Sequence, residues 1–269
     1  MTEPLKMMCI LAHPDDESMG TGGVLAKYAD EGIQTHLITA TGGGKGWFGP
    51  EEEYPGPEEL ARIRGEELQD AANVLGLHEV TQLDYRDGEL DQADPGKVIQ
   101  QLVFHLRRVR PQVVVTFDPN GAYGHPDHIA ICQLTTAAVV AAADPTYAVR
   151  GSDRPQRAAK LYYFVETEAS LQAYEEAFGE LTMQINGQTR RIVGWEPWAI
   201  TTRVDTEPYW RQVWEAISCH RSQLPGYQAL MDLPEEQRKD LFSRQSFYRA
   251  FSLVNGGPQQ ETDFFSGLR

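Results

Sequence analysis

Short apolar runs alternate with helical stretches through the first 166 residues, and few folds accommodate that rhythm. Residues 7–12 (MMCILA), 34–41, 79–85, 111–118 and 160–166 each read as a strand, and those at 7–12 and 111–118 are apolar almost throughout. Strands buried on both faces look like this, whereas a sheet with one wet face alternates. Between them, residues 20–32, 57–76, 94–110 and 125–143 read as helices, with Pro57 near one start and Gly76 as its C-cap. Such β-α-β alternation predicts an α/β fold: a Rossmann-like, mostly parallel sheet flanked by helices on both faces. Beyond about residue 167 the pattern changes. The Asn186-Gly187 pair predicts a hairpin over 183–192, followed by a strand at 198–205 and a helix from about 207 to 222. The expected organisation is a core over 1–166 and a smaller C-terminal mixed β/α lobe over 167–269, which completes the substrate pocket within one compact unit.

Charge narrows the partners. The formal net charge is −15, which gives no electrostatic footprint for nucleic acid or for an anionic membrane surface. A small-molecule substrate is expected instead. No apolar run is long enough to span a bilayer and no leader pattern opens the sequence, so a cytoplasmic location is expected. Cys9, Cys132 and Cys219 have no CxxC spacing and read as reduced, packing thiols rather than a disulfide or cysteine-zinc framework. The sequence leaves open whether the chain forms a homo-oligomer.

Two clusters carry chemistry. HPDDE (13–17) follows the first predicted strand, and FDPNGAYGHPDH (117–128) closes the fourth. In an open parallel sheet, ligands bind outside the carboxyl ends of the strands, so the clusters meet if those strands are neighbours. Either cluster alone reads equally well as a turn or a helix cap. Together, each at a strand end, they read as a site. His13 and Asp16 lie three apart on a tight loop fixed by Pro14, so both can face one ion. His125 and His128 share a helix face, and only one of them need be a ligand. A His-His-Asp set around a zinc with an open position for water follows, with Asp15 as a spare carboxylate to take that water's proton. Iron(II) suits the same ligands. The glycines of GTGG (20–23) do not match the GxGxxG spacing of a dinucleotide loop, and the preceding carboxylates would repel a pyrophosphate.

AHPDDE followed by GHPDH resembles the LmbE-like, or PIG-L, family of zinc-dependent N-deacetylases. Residues 110–131 resemble its mycothiol-pathway branch, a deacetylase and a conjugate amidase, and the likeness returns in CHRSQL and ETDFFSGL. The resemblance implies removal of acetyl from an N-acetylglucosamine-type substrate by attack of a zinc-bound water. The alternative within the family is an amidase acting on a glucosaminyl-thiol conjugate. Outside it, the alternative is a non-catalytic metal- or nucleotide-binding module. By resemblance, His13, Asp16 and His128 are the metal ligands and Asp15 is the general base. His125 is an acid or oxyanion-side group oriented by Asp127, and Tyr123 gives its hydroxyl to the oxyanion. Arg64 and Asp87 resemble sugar-binding residues, and His220 reads as either a substrate-side residue or a helix-end cap. The glycine-rich stretch 42–57, with Trp47 and Phe48, is expected to be a mobile lid over the rim.

Overall fold

The computed structural model describes residues 3–151, 154–178, 182–185, 187–254 and 260–269. Its strands are β1 (Lys6–Leu11), β2 (Gln34–Thr41), β3 (Glu79–Tyr85), β4 (Val113–Phe117), β5 (Lys160–Val165), β6 (Thr182–Ile185), β7 (Gln188–Arg191), β8 (Thr202–Asp205) and β9 (Arg244–Ser252). Its helices are α1 (Asp16–Asp30), α2 (Pro57–Leu75), α3 (Pro95–Val109), the short turn α4 (Gly121–Gly124), α5 (Pro126–Ala143), α6 (Glu168–Phe178), α7 (Trp210–Cys219), α8 (Gln228–Met231) and α9 (Glu235–Phe242). One seven-stranded sheet runs β3-β2-β1-β4-β5-β9-β8. The five strands read from the sequence pair in parallel, as the α/β pattern requires. β9 and β8 then extend the same sheet in antiparallel fashion from the C-terminal part of the chain. β6 and β7 form a separate hairpin; Asn186 of its turn lies outside the described residues. Among the described residues, no helix is long and apolar enough to cross a membrane.

The strand order places the switch point between β1 and β4, where Met7 pairs with Val113 and Cys9 with Val115. Both strands are almost wholly buried, so their carboxyl ends are rigid anchors for whatever follows. One boundary differs from the sequence pattern. The first helix begins at Asp16 rather than Gly20, which puts the acidic cluster on its first turn. The glycines mark close packing inside the helix rather than its start. A Cβ on Gly23 would lie 2.6 Å from the Cβ of Thr206, and one on Gly22 would lie 3.3 Å from the Val213 side chain on α7. Helix propensity is given up there so that α1 can approach its neighbours.

The C-terminal segment is tied to the sheet by a buried ionic cluster. Lys160 of β5 is fully buried and donates to Glu261 Oε1 (2.9 Å) and to the Ser266 carbonyl (2.8 Å). The other Glu261 oxygen accepts from the Tyr162 hydroxyl (2.7 Å) and Thr202 Oγ1 (3.2 Å), and Arg249 reaches Oε1 at 2.9 Å.

Candidate active site

The segments that follow β1 and β4 bring three donor residues together in a triangle, Asp16 meeting the two histidines through different oxygens. His13 Nδ1 lies 3.2 Å from His128 Nε2 and 3.6 Å from Asp16 Oδ2, and His128 Nε2 lies 3.5 Å from Asp16 Oδ1. Ligands at about 2.0–2.1 Å from a tetrahedral zinc are separated by roughly 3.3 Å, close to each of these three pairwise separations. Each donor is fixed from behind. Asp16 Oδ2 accepts from the backbone N–H of His13 at 2.7 Å and of Ala12 at 3.2 Å. The His128 ring stacks on Phe117, centroids 3.9 Å apart and 10° from coplanar. His13 Nε2 faces Asp87 Oδ1 (3.1 Å) and Asp127 Oδ2 (3.2 Å), which leaves Nδ1 with its lone pair toward the triangle. Taking one ligand atom from each residue, the trios His13-His125-His128 and His13-Asp87-Asp127 have all three atoms within 4.8 Å of one another.

Electrostatics match the geometry. Burial opposes a charge on His13, but Asp127, Asp87 and Asp16 outweigh it and raise the ring to about 10. Burial pushes Asp16 up to about 7 against the pull of His13, and Asp15 adds to the rise. Carboxylates crowded around one imidazole are a place where a cation relieves repulsion, and a divalent ion bound there would replace the proton on His13. Burial and His13 also hold His128 well below its usual value, and lower His125 to about 4.

Asp15 stands beside the triangle in an uncommon backbone conformation, φ 104° and ψ −29°. Glu17 secures it by accepting from the Asp15 N–H at 3.0 Å. His220 in turn lies 2.7 Å from Glu17, and both are fully buried. Arg64, 3% exposed, donates to Asp15 Oδ2 (3.1 Å), to the Gly43 carbonyl (2.7 Å) and to the Pro14 carbonyl. Asp87 ties His13 to the glycine-rich loop by accepting from the Lys45 N–H at 2.8 Å. The three residues resembling sugar contacts are thus each turned onto a member of the acidic cluster: Arg64 onto Asp15, Asp87 onto His13 and His220 onto Glu17.

Asp127 divides its contacts. Its carboxylate accepts from Gly88 N (2.7 Å) and Leu90 N (3.0 Å) and meets His13, while its backbone N–H donates to His125 Nδ1 at 3.1 Å. In a neutral His125 the proton is therefore on Nε2. Tyr123 sits in the strained α4 turn, where Ala122 has φ 58°, with its ring 5.1 Å from that of His128. Burial, Asp16 and Asp15 keep its hydroxyl well above the usual value, so it remains a donor. Among the described residues that hydroxyl makes no hydrogen bond. Trp47 bonds back onto Pro50 in its own loop, whereas Phe48, half exposed, packs against Gly226 and Tyr227.

Sequence reasoning missed Tyr227, whose hydroxyl donates to Asp15 Oδ2 at 2.6 Å from 212 residues away. Nothing in QLPGYQ marks it, because its role comes only from where the C-terminal segment folds back. A cavity of about 970 Å³ lies at the carboxyl end of β5 and includes none of the three donor residues. It is nevertheless close: Phe164 on its wall pairs in register with Phe117, against which His128 stacks.

Residues 8–139 match the family model described as PIG-L, GlcNAc-PI de-N-acetylase. The whole chain is 32% identical over 306 aligned positions to a 1D-myo-inositol 2-acetamido-2-deoxy-alpha-D-glucopyranoside deacetylase of Kineococcus radiotolerans, covering 84% of that protein. It is 27% identical to a mycothiol S-conjugate amidase of Streptomyces coelicolor, over the whole chain and 99% of that protein. Among solved structures, a conserved protein of Thermus thermophilus superimposes with a TM-score of 0.66 and 25% identity, covering 94% of this chain and 97% of the other.

Proposed function

The chain belongs to the PIG-L family of de-N-acetylases, and on that premise we propose that it is a zinc-dependent hydrolase removing acetyl from an N-acetylglucosaminyl glycoside. The observation that carries this reading is the donor triangle of His13, Asp16 and His128, with edges of 3.2–3.6 Å, beside the carboxylate of Asp15. His13, Asp16 and His128 would hold a divalent ion, which when bound would supply Lewis-acid polarisation of a water and an amide carbonyl. Asp15 takes the proton of the attacking water and returns it to the leaving amine, with the Nε2–H of neutral His125 as a hydrogen-bond donor on the oxyanion side. Tyr123, a buried and protonated donor, gives its hydroxyl to the developing oxyanion. Arg64, Asp87 and His220 act by holding Asp15, His13 and Glu17 in place. Residues 1–166 supply this chemistry, and residues 167–269 help wall the space for the group carried by the sugar. The 970 Å³ cavity, bounded in part by Tyr174, Arg203 and Arg244, supports that division.

Zinc-loaded protein is expected to release acetate from N-acetylglucosaminyl glycosides, measured against hydrolysis of a glucosaminyl-thiol conjugate. The amidase of Streptomyces coelicolor matches along nearly its full length, so preferential cleavage of the conjugate would favour that second reading. Turnover of neither class, with metal bound, would reduce the protein to a binding module.

The division between the two histidines of α5 and its cap is testable by elemental analysis. His128→Ala is expected to lose most of its zinc, because its Nε2 is one corner of the triangle. His125→Ala is expected to keep zinc and turn over more slowly. Equal metal loss in both variants would exclude this assignment.

A further inference from the structure

The two oxygens of Asp15 are not equivalent. Oδ2 accepts from the Tyr227 hydroxyl at 2.6 Å and from Arg64 Nη2 at 3.1 Å. Among the described residues, no hydrogen bond reaches Oδ1, so that oxygen keeps its lone pairs for a proton. A carboxylate pinned through one oxygen has its rotation fixed while the other stays available, which is the geometry a general base needs.

Tyr227 is itself positioned by the glycine-rich loop. It ends a short turn, Leu224–Tyr227, and Gln223 just before that turn donates to the Gly46 carbonyl at 2.9 Å. Phe48 from the same loop lies with its ring centroid 6.4 Å from that of Tyr227. It occupies the space that a side chain at residue 226 would need: a Cβ on Gly226 would lie 2.7 Å from the Phe48 ring. Phe48 is 50% exposed, so one face packs on the Gly226-Tyr227 segment while the other is open to a ligand.

We propose that Tyr227 is a positioning residue for Asp15, and that Phe48 seats it, so that the loop and the base are set together. The proposal rests on Asp15 acting as the base. A group attached to the sugar that presses on Phe48 would steady Tyr227, and through it the carboxylate. Recognition of that group then enters the rate of the chemical step and not only the binding of the substrate.

The test is steady-state kinetics on zinc-loaded enzyme, with metal content and melting temperature measured alongside. Tyr227→Phe keeps the ring and removes the hydroxyl. It is expected to lower kcat by roughly 10- to 10²-fold, the scale of a small misplacement of a reacting group, with KM and zinc content unchanged. Phe48→Ala is expected to lower kcat in the wild-type background and to add nothing in the Tyr227→Phe background, because both act through one contact. Gly226→Ala, which crowds Phe48 without touching Asp15, is expected to behave like Phe48→Ala. An unchanged kcat in Tyr227→Phe would overturn the proposal, as would losses from Phe48→Ala and Tyr227→Phe that multiply. Asp15→Asn in the same assay separates the two levels. If it is inactive while Tyr227→Phe is unaffected, only the positioning role fails; if it retains full activity, the assignment of the base fails.

Discussion

Asp15→Asn is expected to keep its metal and to lose about 10²- to 10⁴-fold in hydrolysis, the scale of a general acid–base group. The substitution is close to isosteric and leaves His13, Asp16 and His128, the three corners of the donor triangle, untouched. It also preserves an oxygen that can accept from Tyr227 and Arg64, so the loop that carries residue 15 has no reason to move. What it removes is the ability to take up and return a proton. Elemental analysis and acetate release on the same preparation give the two readouts. Loss of the metal would make Asp15 a ligand and would displace Asp16 from that role.

The second large effect is on stability. Glu261→Ala is expected to cost about 3–5 kcal/mol, because it leaves the fully buried ammonium of Lys160 without its anion. It also strips partners from the Tyr162 and Thr202 hydroxyls and from Arg249. Denaturant unfolding measures the loss, and Lys160→Met in the same chain should recover part of it, since the two side chains share one contact. A change below about 1 kcal/mol would mean that water or a rearranged tail satisfies the lysine. The cluster also carries a pH dependence. Burial would raise the Glu261 carboxyl, but the Tyr162 hydroxyl and Lys160 outweigh it and hold it below its usual value. Its contribution is therefore present above the unfolded-state value of about 4.3 and fades as the pH falls through the lower folded value.

The parallel half of the fold is legible because its central strands, β1 and β4, are apolar along most of their length and its strands alternate with helical stretches. The two chemical clusters are legible because histidine and aspartate at the ends of such strands have no packing role to explain them. β9 is not: RQSFYRAFS mixes charged and aromatic residues, and its place between β5 and β8 depends on partners remote in sequence. The start of α1 is obscured by glycines whose use is close approach rather than helix punctuation. The contacts of Asp127 are equally hidden. Its carboxylate reaches His13 and the backbone of Gly88 and Leu90, a choice made by the order of strands and not by neighbours in the chain.

The donor triangle and the carboxylate beside it are drawn from the chain in different ways. His13, Asp16 and His128 come from the segments that follow two adjacent, almost wholly buried strands, at the switch point of the sheet. Asp15 is held instead by Arg64 on α2 and by Tyr227, with the buried Glu17-His220 pair behind its backbone. On the proposed reading, affinity for the ion and competence of the base would therefore be separately heritable. Drift in the C-terminal third, which supplies Tyr227 and His220, would then reach the carboxylate while the ion's seat stays as it was.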